Sequence, residues 1–238
     1  MATLVFDIET AALPTDQFDA SQQEYLFRDA ERQPDEDSKA KRRSELETMM
    51  SLWPFTSEVV CIAMLNTESE RGKVLFLADD PEDGTPEGPV EFTPCADETE
   101  LLAGFWEAAQ HYEKVVTFNG RGFDVPFLYL RSAQLNVPIS QKKWLGYRFA
   151  TEPHCDLAEQ LTFYGAGGRD GAARRFNLDF YCRAFGIPSP KSEGVTGMDV
   201  RRLRDEGRHR DIAEYCLRDV QATAALYHVW KTRLAGIK

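Results

Sequence analysis

An α/β fold, with a mixed β-sheet flanked by helices, is predicted by three features of this 238-residue sequence. First, runs rich in β-branched and aromatic residues fall at 3–8, 57–66 and 72–79. The short polar link between the last two suggests an antiparallel pair. Second, helical and strand patterns alternate after residue 97, which brings further strands to the same sheet. Third, "RDIAEYCLRDVQATAALYHVWKTRL" (210–234) is one long amphipathic helix.

Taken in order, Thr3 to Ile8 reads as a strand buried on at least one face. Residues 16–51 are polar and charged, with helix formers such as "KAKRRSELETMM", and predict one or two helices interrupted at Pro34. The proline, glycine and acid content of 80–94 predicts a surface loop. Residues 97–112 have helical spacing, with Asp97 as N-cap and Glu100 at capping-box distance. "KVVTFNG" (114–120) is a buried strand entering a tight loop, and 123–135 is a helix that tolerates Pro126 in its first turn. Residues 154–163 and 176–186 predict two more helices, the second ended by Gly186. One domain over 1–238 is expected, 42% hydrophobic and able to bury a full core, with a charged excursion at about 11–56. Covering a site, docking a partner and padding the surface are all open roles for that excursion.

No apolar run approaches membrane-spanning length, and the N-terminus lacks a signal peptide's pattern. The five cysteines are scattered without a CxxC pair, which predicts reduced thiols and a cytoplasmic location rather than disulfides or zinc. His154 beside Cys155 has no second ligand pair at zinc spacing. The net charge of −11 opposes general attraction to nucleic acid, yet residues 169–210 hold ten Arg/Lys against six Asp/Glu, a local +4. That third of the chain either meets a polyanion or forms solvated faces.

The chemistry concentrates in "TLVFDIETAAL". Side chains alternate across a strand, so Asp7 and Glu9 project from one side, where their charges repel unless something positive lies between them. Asp124 lies at the loop–helix junction in "TFNGRGFDVPFL". Asp219 lies four residues after Tyr215, hence on the same helix face. Should strand end, helix start and helix face converge, four carboxylates would require hard divalent cations, magnesium or manganese. Two such ions, about 3.5–4 Å apart, stabilise both attacking and leaving oxygens of a phosphodiester.

"FDIET", "TFNGRGFD" and "YCLRD" resemble, in order, the three motifs of the DEDD superfamily of 3′–5′ exonucleases. The nearest likeness is to the exonuclease domain of family B DNA polymerases, and the chain resembles a stand-alone bacterial version of it. "NLDFYCRAFGIPSPK" and "DIAEYCLRDVQATAALY" extend the likeness, which covers 3–10 and 57–234 and leaves 11–56 without a counterpart. The resemblance implies a ribonuclease H-like fold and hydrolysis of nucleic acid from a free 3′ end by a two-metal mechanism. Asp7, Glu9, Asp124 and Asp219 would hold two Mg2+ or Mn2+ ions, with Asp7 bridging both. The superfamily divides on the residue before its last acid, and Tyr215 places this chain in the tyrosine type (DEDDy). Tyrosine is a poor base at neutral pH, so Tyr215 is expected to orient water or the scissile phosphate.

Further substrate contacts are expected from Thr10, Asn119, Gly120, Phe123, Arg175 and Lys191. Asn119 and Gly120 bend the chain where a strand would enter, and Phe123 either stacks on a base or packs in the core. Arg169, Arg174, Arg175 and Lys191 flank glycine-rich loops and either hold phosphates or face solvent. Tyr227 and Trp230 are read as packing residues. The expected substrate is single-stranded DNA in preference to RNA, although no contact sensing a 2′-hydroxyl is legible. Two other classes share part of the pattern. A haloacid-dehalogenase-like phosphatase needs aspartate where Glu9 stands, and a silent ribonuclease H-like binding module has no need of all four acids.

Overall fold

The computed structural model describes residues 2–78, 85–166, 168, 171–189 and 197–237. Strand β1 (Thr3–Ala12) leads into helices α1 (Ala20–Glu31) and α2 (Glu36–Met49). Strands β2 (Ser57–Asn66), β3 (Gly72–Leu77) and β4 (Val90–Cys95) follow, then α3 (Glu98–Ala109), β5 (Lys114–Thr117) and α4 (Asp124–Gln134). The chain continues through β6 (His154–Asp156), α5 (Leu157–Leu161), α6 (Leu178–Phe185), α7 (Val200–Asp205) and α8 (His209–Arg233). The sheet has six strands in the order β4-β3-β2-β1-β5-β6. Strands β1, β2 and β3 are antiparallel neighbours, whereas β4, β5 and β6 each join in parallel.

The period-two alternation of β1 sorts its side chains between two cores. Leu4, Phe6 and Ile8 pack with Phe105, Leu128 and Trp144 beneath α3 and α4. Val5 and Ala11 pack with Ile212, Val220 and Leu226 of α8. Asp7 and Glu9, having the parity of Val5, therefore turn toward α8. Burial of this many large apolar side chains on both faces is what holds the sheet between its helices. A buried ion pair fastens α3 to α4: Arg131 Nε donates to Glu98 Oε1 at 2.9 Å, and the same carboxylate oxygen accepts from the Val59 amide at 2.8 Å. This clamp holds the last turn of α4 against the start of α3.

Two segments depart from the sequence expectations. Val90–Cys95 is a strand rather than part of a loop. It lies at the sheet edge, where Pro94 opposite Phe76 is tolerated because its missing N–H faces no further strand. His154–Asp156 is likewise a strand, and the helix expected from 154 starts only at Leu157, capped by Asp156. Three buried residues are too few to display a period of two.

The excursion folds as α1 and α2, N-capped by Asp19 and Asp35. Phe27, Ala30, Leu46 and Met50 form a small core with Ala12 at the end of β1. Arg43 lies over the Phe27 ring at 4.0 Å, a cation–π contact that shields this core from water. The Thr10 hydroxyl donates to the Ser51 carbonyl at 2.7 Å, tying the returning chain to β1.

Candidate active site

Three elements meet where β1 outruns β5. Pairing between those strands ends at Val5 and Val116, so the far half of β1 has no neighbour on that side. There the Ile8 amide donates instead to Asp124 Oδ1 at 3.2 Å, which brings the first residue of α4 against β1. Helix α8 crosses the same strand from the other side of the sheet. Asp124 acts electrostatically on Asp7, and the Asp219 charge acts on both Asp7 and Glu9. The Tyr215 phenol interacts with Asp219, four residues on, and with Glu9 and Asp7. Asp7 and Glu9 thus have Asp124, Asp219 and Tyr215 as electrostatic neighbours.

The electrostatics are those of crowded acids. Burial holds the Asp7 and Glu9 carboxyls well above the usual carboxylate range, and the neighbouring acids push them further. Asp124 is pushed up to about 7, chiefly by burial, against the opposing pull of backbone N–H donors. Burial first, then the charges of Glu9 and Asp219, also raises the Tyr215 phenol. It stays protonated at neutral pH, which removes it as a general base.

Cys216 was not legible as a neighbour of this cluster. Its thiol donates to the Asp7 carbonyl at 3.5 Å, and its sulfur lies within 4.8 Å of carboxylate oxygens of Asp7 and Glu9. A buried thiol with a raised pKa, already engaged by a carbonyl and by Cys61, is poorly suited to a hard cation. Its place three residues before Asp219 was the available signal. His154 is committed elsewhere: its ring nitrogens meet the Thr117 hydroxyl at 2.8 Å and the Trp144 carbonyl at 3.2 Å.

The loop between β5 and α4 is shaped by Asp156, a second residue that sequence reasoning did not single out. Asp156 accepts from the Asn119 and Arg121 amides, both at 2.9 Å, and also caps α5 through Ala158 at 3.0 Å. Asn119 is held at φ 71°, and a side chain on Gly120 would fall 2.3 Å from the Thr117 hydroxyl oxygen, so glycine is required there. Asp156→Ala leaves these N–H groups unmet and is expected to cost about 2 kcal/mol, read from the urea midpoint at constant slope.

A cavity of about 480 Å³ opens beside Tyr215 and Asp219, lined also by Asn119, Arg175 and Phe176. A second, of about 710 Å³, opens on the other side of Glu9 between Thr48 and Leu52 of the excursion and Phe123. Asn119, Arg175, Thr10 and Phe123 therefore border the cluster. The Thr10 hydroxyl is taken by Ser51, and the Phe123 ring packs 5.4 Å from Phe127, half in the core. Gly120 acts through the backbone bend. Tyr227 and Trp230 are packing residues with rings stacked at 6.0 Å. Arg174 lies away from the cluster, over the Phe176 ring. Lys191 and Arg169 lie outside the described residues.

A mixed, helix-flanked sheet with acids converging on its central strand defines the class: a ribonuclease H-like α/β fold carrying a carboxylate site. Residues 54–235 match the family described as predicted 3′–5′ exonucleases related to the exonuclease domain of PolB, and the chain belongs to that family. The match begins after Asp7 and Glu9. The chain is 30% identical over 140 residues to DNA polymerase 1 of Sulfolobus acidocaldarius, covering 54% of this chain and 15% of the polymerase. DNA polymerase 1 of Saccharolobus solfataricus is 29% identical over 140 residues, with the same coverage of each chain. The structure of the family B DNA polymerase from Pyrobaculum calidifontis shares the fold, with a TM-score of 0.59 at 19% identity over 97% of this chain and 24% of that one. This chain thus spans less than a quarter of each polymerase. Among the described residues, no helix is long and apolar enough to cross a membrane.

Proposed function

We propose that the protein is a metal-dependent 3′–5′ exonuclease working as a single domain, with Asp7, Glu9, Asp124 and Asp219 as metal-binding catalytic residues and Tyr215 as their partner. The observation that carries this reading is the meeting of acids from β1, α4 and α8, where burial first and the neighbouring acids second hold Asp7 and Glu9 well above the usual carboxylate range. An all-oxygen, anionic donor set fits hard divalent ions, and Mg2+ or Mn2+ are the pair proposed. When bound, such ions neutralise phosphate charge and make water a nucleophile at neutral pH.

The chain's own residues supply placement. Tyr215, protonated and beside Asp219, lines the cavity where the scissile phosphate or its water would lie. Asn119 and Arg175 line the same cavity and supply donors for the sugar–phosphate backbone. The substrate is nucleic acid with a free 3′ end, single-stranded DNA ahead of RNA. The described cysteines are free and buried, in keeping with a cytoplasmic setting.

The test is incubation with 5′-labelled single-stranded DNA and RNA, with magnesium, manganese or EDTA. A ladder shortened one nucleotide at a time from the 3′ end, silenced by EDTA, is expected. Cleavage of circular or 3′-blocked strands would sink the directional claim, and metal-dependent hydrolysis of p-nitrophenyl phosphate alone would favour a phosphatase. Tyr215→Phe removes one hydrogen bond and is expected to lower kcat about tenfold, against about a thousandfold for Asp219→Ala. Equal losses in single-turnover assays would overturn that ranking.

A further inference from the structure

Residues 139–151, "ISQKKWLGYRFAT", contain no acid and three cations in a chain of net charge −11. They form no regular element, yet they are firmly held. Trp144 is buried against Phe6, with ring centroids 5.5 Å apart. Arg121, from the loop beside the carboxylates, donates to the Gly146 and Tyr147 carbonyls at 3.3 and 3.5 Å. The Tyr164 hydroxyl donates to the Phe149 carbonyl at 3.1 Å. On this fixed backbone, Tyr147 is 74% and Phe149 55% exposed. Phe149 packs edge-on between Tyr147 at 5.6 Å and Tyr164 at 4.9 Å. Tyr164 and its neighbour Phe163 both hold positive φ, 57° and 47°, a conformation costly for aromatic residues. Rigid aromatic rings held open to solvent, at some backbone cost, mark a binding surface.

The surface connects to the carboxylates. A cavity of about 420 Å³ is lined by Arg148, Arg174 and Arg175, and Arg175 also lines the cavity beside Tyr215 and Asp219. Among the described residues, the one acid on its wall is Glu159, which is neutralised by Arg148 at 2.7 Å and Arg121 at 3.8 Å. Stackable rings interleaved with arginines suit a single strand, whose phosphates meet cations while its bases stack without sequence preference. Paired bases cannot offer their faces in this way.

We propose that Tyr147, Phe149 and Tyr164, with Arg148 and Arg174, form the track for the upstream nucleotides of a single strand whose 3′ end reaches the carboxylates past Arg175. This rests on the exonuclease reading, and length dependence separates the two. The probes are a trinucleotide and a dodecanucleotide, each as DNA and as RNA, digested by wild type and by the Tyr147→Ala/Phe149→Ala double variant. The double variant is expected to raise KM for the dodecamer at least tenfold, with kcat and the trinucleotide's KM unchanged, and Tyr147→Trp/Phe149→Trp to restore it. Anisotropy of a labelled dodecamer in EDTA measures the track without hydrolysis and should weaken by the same factor. Tight dodecamer binding without degradation would refute the exonuclease reading alone. Unchanged dodecamer affinity in the double variant, or equal losses on both lengths, would overturn the track. So would a wild-type dimer that the double variant abolishes, which would assign the rings to a self-interface. A larger effect on DNA or on RNA would identify which strand the track serves.

Discussion

Asp124→Asn is expected to lower kcat/KM for 3′ trimming about a thousandfold while leaving the protein folded. The substitution is nearly isosteric, and the amide oxygen can still accept from the Ile8 amide as Asp124 Oδ1 does at 3.2 Å. What disappears is one negative charge among four. At 2% exposure, solvent cannot replace that charge. Loss of a charge that holds a cation against developing phosphate charge costs several kcal/mol, and about 4 kcal/mol corresponds to a thousandfold. Rates on 5′-labelled single strands, with thermal melting of the same preparations, check both halves. More than a tenth of wild-type activity in Asp124→Asn would remove Asp124 from the metal-binding set. A lowered melting temperature would show that its charge serves the fold instead.

In EDTA, stability is expected to fall as pH rises from about 4 to about 7, and divalent metal to reverse the loss. Unfolded carboxyls titrate near 4. In the folded chain Asp7 and Glu9 are raised well above that, and Asp124 to about 7. Across this window the native state keeps protons that the unfolded chain has shed, so each pH unit favours unfolding. Below about 4 both states are protonated and the penalty vanishes. A raise of about three units on one buried acid amounts to roughly 4 kcal/mol by the end of the window. A cation that binds only the folded cluster opposes this, by about 2.7 kcal/mol per site at 100 times its dissociation constant. For a chain of this size that is roughly 5–10 °C in melting temperature. Asp7→Asn should therefore melt higher than wild type in EDTA at neutral pH, yet lose most of the shift that magnesium or manganese gives wild type. A wild type that melts alike with and without metal would mean that the four acids hold no ion.

Much of this site was written in short-range pattern. Alternation along a strand placed Asp7 and Glu9 on one side, and β1 shows that parity against α8. The four-residue spacing placed Tyr215 and Asp219 on one helix face, and both line one cavity. Asp97 caps α3 through the Glu100 amide, and Gly186 ends α6 at φ 73°. Such features depend on a few neighbouring residues, so a linear sequence contains them whole.

Tertiary structure decided the rest. Strands β4 and β6 exist because β3 and β5 offer them open edges, which no local period records. Asp156 governs the Asn119 bend from 37 residues away, and Cys216 donates to the Asp7 carbonyl from 209 away. The excursion at 11–56 reads only as charged helices, yet Thr48 and Leu52 stand across a cavity from Glu9. Tyr147 and Phe149 read only as loop aromatics, and their fixed exposure depends on Trp144 sinking into a core built by β1 and α3. Backbone periodicity tells a residue which way to face, but only closure of the sheet settles what it will meet there.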